Sequence, residues 1–278
     1  MAKQPTLPLN DGNAIPQIGL GVWQVDPAIT ARVVSDGIKA GYRSIDTAEG
    51  YRNEEGVGEA IKSAGIPRSE LFITTKLRNG GHARDLALKS FDESMKLLGL
   101  DQLDLFLIHW PVPSQGKYVE AWKTLVELQK QGRIKSIGVS NFNVDHLERI
   151  IGETSVTPVV NQIELHPSFQ QLDKRAFHAK HKIGIESWSP LGSGKALDDK
   201  TIGGIAAKHG KSIAQVIIRW HLQSGLIVIP KSVNADRIQQ NIDVFDFELD
   251  AADLATIAGL DNPNGRIGPD PATASFLF

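Results

Sequence analysis

Four residues stand at or just beyond the ends of short apolar runs and are of types that could move a proton onto a carbonyl oxygen. They are Asp46 and Tyr51 in "DTAEGYRNEEGVG", Lys76 in "FITTKL" and His109 in "LFLIHWP". A lysine closing an apolar strand must find water or a carboxylate. On a neighbouring strand, Asp46 would be that carboxylate and would keep the lysine charged. A tyrosine hydroxyl has an ordinary pKa of about 10, which a nearby ammonium lowers. His109 could donate to a carbonyl oxygen or orient the substrate. Together they read as a tyrosine general acid beside a carbonyl, the chemistry of ketone or aldehyde reduction. No side chain supplies a hydride, so that chemistry needs a cofactor. Each residue alone also has a plainer reading: Asp46 as a helix cap or turn residue, His109 as a structural histidine.

Later strand ends carry groups suited to such a cofactor. Ser140 and Asn141 in "IGVSNF" could hydrogen-bond a carboxamide, or simply turn the chain into a helix. Gln162 in "VVNQIELHP" is an amide within an apolar run and must find partners. Trp188 in "IESWSPLG" offers a flat face for an aromatic ring, or caps the core. In "IPKSVNADRIQQN", Lys231 and Arg237 flank a helix start. Cations there oppose the helix dipole, which argues for a bound phosphate rather than a solvated face. Two cations favour a phosphorylated ribose.

These residues need a scaffold that gathers strand ends. Strands are expected at Gly19–Val22, Ser44–Asp46, Phe72–Lys76, Leu103–His109, Ile134–Ser140, Val159–Glu164, Ile183–Trp188 and Leu226–Pro230. Helices are expected near Ala28–Ala40, Glu54–Ser63, Ala83–Leu98, Val119–Gln131, Val144–Ile151, Lys174–His181, Lys200–Gln223 (broken at Gly210) and Ala235–Phe245. An Asp11-Gly12 pair predicts an N-terminal β-hairpin, and Asp250–Gly259 an extra C-terminal helix. The alternation predicts an α/β fold, a (β/α)8 TIM barrel whose active site lies at the C-terminal strand ends. A doubly wound sheet is disfavoured, because "GLGVWQ" and "GSGKAL" both lack the third glycine of a dinucleotide fingerprint.

The chain has 278 residues, a length that one barrel fills, and no linker divides it, so a single domain over 1–278 is expected. Net charge −2 leaves no footprint for nucleic acid or an anionic membrane, and no apolar run is long enough to span one. With no cysteine there is no disulfide, thiolate metal site or cysteine nucleophile. His178 and His181 share a helix face, but a solvated charged face explains them better than a metal. The N-terminus lacks the apolar core of a signal peptide, so a cytoplasmic location is expected; nothing requires an oligomer, so a monomer is expected.

The chain resembles the aldo-keto reductase family over nearly its whole length. The resemblance rests on "GYRSIDTAEGYRNEEGVG", "GRIKSIGVSNF" and "IPKSVNADRIQQNIDVF", with "LDLFLIHWP", "NQIELHP" and "ESWSPLG" between them. Within the family it is most similar to the bacterial 2,5-diketo-D-gluconate reductases, which implies a keto sugar acid substrate and NADPH. The resemblance implies a catalytic set of Asp46, Tyr51, Lys76 and His109. It implies that Ser140, Asn141 and Gln162 hold the nicotinamide carboxamide and that Trp188 stacks on its ring. Ser189, Pro190, Leu191 and Gly192 would cover the pyrophosphate. Lys231, Ser232, Val233, Arg237, Gln240 and Asn241 would form the adenosine 2′-phosphate end. Trp23, Trp110 and the loop after Lys76 would line the substrate mouth. Two departures stand out: Arg78 where relatives usually carry tryptophan, and Arg52 where glycine is common. Arg78 at the mouth would favour acidic or polyhydroxy carbonyls. The resemblance also leaves room for a general aldehyde or dicarbonyl reductase, or a nucleotide-binding regulatory subunit with little turnover. A phosphosugar-binding barrel using Lys76 as a Schiff base would need no nicotinamide.

Overall fold

The computed structural model describes residues 4–278. Strands β1 (Thr6–Pro8) and β2 (Ala14–Pro16) pair antiparallel, and Gly12 supplies the positive φ of the tight turn between them. The chain then alternates strand and helix: β3 (Leu20–Gly21), α1 (Pro27–Ala40), β4 (Ser44–Asp46), α2 (Glu54–Ser63), β5 (Phe72–Leu77), α3 (Arg84–Leu98), β6 (Leu103–Ile108) and α4 (Tyr118–Lys130). There follow β7 (Ile134–Ser140), α5 (Val144–Thr154), β8 (Val160–Glu164), α6 (Leu172–His181), β9 (Gly184–Trp188), α7 (Lys200–His209), α8 (Ile213–Gln223), β10 (Ile227–Val228), α9 (Ala235–Ile242) and α10 (Ala251–Ala258).

Strands β3 to β10 form one parallel sheet in chain order. Its edges meet: the Val228 amide donates to the Gln17 carbonyl at 3.0 Å and the Gly19 amide to the Val228 carbonyl at 2.9 Å. The sheet is therefore a closed (β/α)8 barrel, with α7 and α10 as additions.

The helix boundaries follow local chemistry. Asp26 caps α1 ahead of Pro27, and Gly41 ends it in the left-handed region. Gly210, at φ +62°, breaks the expected long helix, and a Ser212–Gln215 capping box restarts it as α8. The main core lies between barrel and helices, around Val33, Phe91, Trp122, Leu125 and Leu147. The hairpin closes the bottom of the barrel, where Leu9 and Ile15 join Leu105, Leu107, Val160 and Ile227. Space inside is tight: a Cβ on Gly138 would come within 2.6 Å of the Val160 carbonyl, so only glycine fits there.

One expectation is overturned. His178 is buried, with Nε2 2.9 Å from Asn161 Nδ2 and Nδ1 2.5 Å from the Lys174 carbonyl. The helix turns this face onto β8 rather than to water. Its neighbour His181 stacks on Phe177. Among the described residues, no group of three or more potential ligands could hold a metal.

Candidate active site

Register decides which side chains face inward. Asp46 pairs with Thr74, two residues before Lys76, so the alternation of the strands points both Asp46 and Lys76 into the barrel at its C-terminal end. Lys76 is fully buried, and its Nζ donates to Asp46 Oδ2 at 2.7 Å, to the Thr47 carbonyl at 2.9 Å and to the Tyr51 hydroxyl at 3.3 Å. Tyr51 closes a short helical turn, Glu49–Tyr51, beyond β4. Asn53 pins that turn: Oδ1 accepts from Thr47 Oγ1 at 2.8 Å, and Nδ2 donates to the Val22 carbonyl at 2.9 Å. Arg52 sits at φ +57°, the left-handed region, which explains why a glycine would be at ease there. The His109 ring meets the Tyr51 ring edge-on, 5.5 Å between centroids, and its buried Nδ1 has no partner among the described residues.

The charges are set by burial and by one another. Burial would discharge Lys76, but Asp46 and then Tyr51 outweigh it and hold the ammonium above its ordinary pKa. Burial lifts the Tyr51 phenol above its usual value, and Lys76 offsets this only in part. Lys76 lowers the phenol pKa as expected, but burial outweighs it, so Tyr51 keeps its proton, the state a donor requires. Burial, with the nearby Lys76 charge, pushes the His109 imidazole well below its usual pKa, so the ring is neutral.

The carboxamide candidates are linked. The Asn141 amide donates to the His109 carbonyl and to Ser140 Oγ, both at 3.0 Å, while its Oδ1 accepts from Trp188 Nε1 at 2.8 Å. Gln162 Nε2 donates to Asp46 Oδ1 at 2.8 Å and to Glu186 Oε2 at 2.6 Å. Both of its N–H groups are spent, so it can offer an incoming amide only its oxygen. Ser189 and Gly192, at φ +47° and +59°, turn the loop after Trp188, with Pro190 buried and Leu191 half-buried. Lys231, Val233, Arg237 and Gln240 are exposed around the start of α9, while Ser232 and Asn241 are buried. Among the described residues, neither Lys231 nor Arg237 has an acidic partner. A flat indole, a free amide oxygen and two unpaired cations at a helix start fit a phosphorylated nicotinamide nucleotide.

Trp23 is 51% exposed, and Trp110 is buried. Arg78 Nε lies 2.9 Å from Glu49 Oε1, out of line for a hydrogen bond, so the contact is an ion pair. Its charge is therefore partly neutralised. The residues that sequence reasoning missed come from the C-terminal tail. Glu164 Oε1 accepts from the Ile267 amide at 2.6 Å and Oε2 from the Gly268 amide at 2.9 Å, latching the tail beside Trp188. Asn79 Nδ2 donates to the Phe276 carbonyl at 3.0 Å. The Phe276 ring meets Trp110, and the Phe278 ring lies 5.2 Å from that of His109. A Cβ on Gly50 would come within 2.5 Å of the Phe278 ring. Glu186 was also missed, although the alternation in "GIESW" puts it on the same inward face as Trp188.

The chain is similar to known proteins over nearly its whole length. Residues 17–262 match the model of the aldo/keto reductase family. The chain is 55% identical over 273 residues to "Methylglyoxal reductase DkgA" of Escherichia coli strain K12, covering 98% of each. It is 54% identical over 272 residues to an aldo-keto reductase of Mycolicibacterium smegmatis, again covering 98% of each. Among solved structures, a mutant of Gox0644 in complex with NADPH superposes with a TM-score of 0.96 at 56% identity, over 99% of this chain and 100% of that one. The chain belongs to the aldo/keto reductase family.

Proposed function

We propose that this protein reduces compact carbonyl compounds to alcohols with NADPH, Tyr51 being the proton donor. The observation that carries the reading is the buried chain from Asp46 through Lys76 to the Tyr51 hydroxyl, flanked by the neutral ring of His109. NADPH, when bound, supplies the hydride. Ser140, Asn141 and the Gln162 oxygen would hold its carboxamide, and Trp188 its ring. Ser189–Gly192 would lie over the pyrophosphate, with Lys231, Ser232, Val233, Arg237, Gln240 and Asn241 at the phosphorylated ribose.

Tyr51 gives its proton to the carbonyl oxygen as negative charge develops there. Lys76 stabilises the phenolate that is left, and Asp46 keeps Lys76 charged and in place. His109, neutral, can donate one ring N–H to the same oxygen and so orient it.

Two substrate classes divide at Arg78. A keto sugar acid such as 2,5-diketo-D-gluconate would need Arg78 to leave Glu49 for the substrate carboxylate. A small dicarbonyl of the methylglyoxal kind needs no such exchange, and it suits a mouth that Phe276 and Phe278 crowd. The geometry favours the dicarbonyl. The test is NADPH oxidation by the purified protein over both classes, with NADH in parallel. Turnover confined to sugar acids would reverse the order of the two classes, and no turnover of any carbonyl would contradict the reading.

A further inference from the structure

Glu186 is a carboxyl in the barrel interior to which the mechanism above gives no task. It is fully buried, its Oε2 accepts from Gln162 Nε2 at 2.6 Å, and its Oε1 has no partner among the described residues. Gln162 is its register partner on β8, and Ile227 flanks it on β10. The same amide nitrogen donates to Asp46 Oδ1 at 2.8 Å, and the other oxygen of Asp46 holds Lys76 at 2.7 Å. Glu186 is thus three hydrogen bonds away from the ammonium that faces Tyr51.

We propose that Glu186 is a positioning residue of the reductase: it fixes the Gln162 amide in one orientation, which keeps the amide oxygen for the nicotinamide carboxamide and steadies Asp46 beside Lys76. The proposal rests on the reductase reading above. Its warrant is the donor inventory of an amide. With acceptors at Asp46 and Glu186, both N–H groups point at carboxyl oxygens. Half a turn about the last side-chain bond would set the amide oxygen against the Asp46 carboxylate, replacing that attraction by a repulsion, and would give up the hydrogen bond to Glu186 Oε2. Without Glu186, one of the two restraints is gone.

A second consequence concerns charge. Burial first, and then the nearby Asp46, push the Glu186 carboxyl up to about 8, against Gln162 and Lys76, which favour its ionised form. The charged or titratable groups facing it are Asp46 of β4, Lys76 of β5 and Tyr51 beyond β4; Gln162 of β8 and Ile227 of β10 carry none. When Glu186 ionises, its negative charge raises the Tyr51 pKa further and makes Tyr51 a poorer acid. Reduction therefore slows as pH climbs through about 8.

The test compares wild type, Glu186→Leu and Glu186→Gln. The first readout is binding, by tryptophan fluorescence, of NADPH and of its reduced 3-acetylpyridine analogue, whose methyl ketone lacks the amide N–H. Wild type should prefer NADPH by about tenfold, the size of one buried acceptor left unpaired. In Glu186→Leu that preference should fall toward one. The second readout is the pH profile of kcat/KM, in which Glu186→Gln should lose the decline near pH 8 that wild type shows. A preference unchanged in Glu186→Leu would overturn the proposal; if that variant does not fold, a decline unchanged in Glu186→Gln would do so. Nucleotide binding without turnover of any carbonyl would instead overturn the reductase reading, while the binding ratio would still decide the role of Glu186.

Discussion

The Tyr51 hydroxyl and the Lys76 ammonium lie 3.3 Å apart, and the ammonium is held there from behind by Asp46 Oδ2 at 2.7 Å and the Thr47 carbonyl at 2.9 Å. Lys76 is wholly removed from water, so its loss leaves the Asp46 charge unpaired in the barrel. Lys76→Met should therefore cost about 3–5 kcal/mol of stability as well as most of the activity. Denaturant unfolding checks the first and NADPH oxidation the second. A variant as stable as wild type would mean that the pair is far better solvated than its burial implies.

On the proposed reading, the ion pair between Arg78 and Glu49 would separate the two substrate classes. Glu49→Gln frees the guanidinium at the mouth. KM for a keto acid should then fall several-fold, while KM for a neutral dicarbonyl should hardly move. Equal changes in both would show that Arg78 does not meet the substrate carboxylate.

On the proposed reading, the tail would set the size of the mouth. Phe278→Ala removes a ring that packs against His109 and over Gly50. Turnover of bulky aromatic aldehydes should rise relative to compact dicarbonyls, with little change in Tm because the ring is 39% exposed. A preference that does not move would place substrate elsewhere in the mouth.

Acid should unfold the protein through its buried histidines. Burial lowers His82, His178 and His221 each to about 4, below the ordinary value of 6.5. The unfolded chain then binds protons that the folded one refuses. Stability is fully present above about pH 6.5 and falls as pH drops toward 4, by about 1.4 kcal/mol per pH unit for each histidine, on the order of 4 kcal/mol for all three. Denaturant midpoints between pH 7 and 4 measure this, and His178→Asn should flatten the slope by about 1.4 kcal/mol per pH unit. A slope equal to that of wild type would show that His178 is charged when folded.

Much of this architecture was legible in the chain because it is local. Ser44–Asp46, Glu54–Ser63 and Ile134–Ser140 have the expected bounds, since strand period, caps and glycines write themselves into neighbouring residues. The meeting of Asp46 with Lys76 was legible too, because parallel register makes the ends of sequential strands neighbours. What was not legible depends on distant partners. Nothing in "ATASFLF" says that Phe278 returns to His109, because that contact spans the whole barrel mouth. Nor does "EGY" say that Glu49 claims Arg78. His178 failed for the same reason: helix period alone does not reveal which polar face a strand such as β8 will cover. Glu186 was within reach of the alternation, but an acid in a strand reads as exposed until the strand is known to face a filled interior.

The measurement that tests the central claim most directly is single-turnover reduction by Tyr51→Phe beside its NADPH affinity. The account expects a rate lower by about a hundred- to ten-thousand-fold, with NADPH affinity unchanged, because only the donated proton is lost. A rate within a few-fold of wild type would contradict it, for then the proton reaches the carbonyl from a group other than Tyr51.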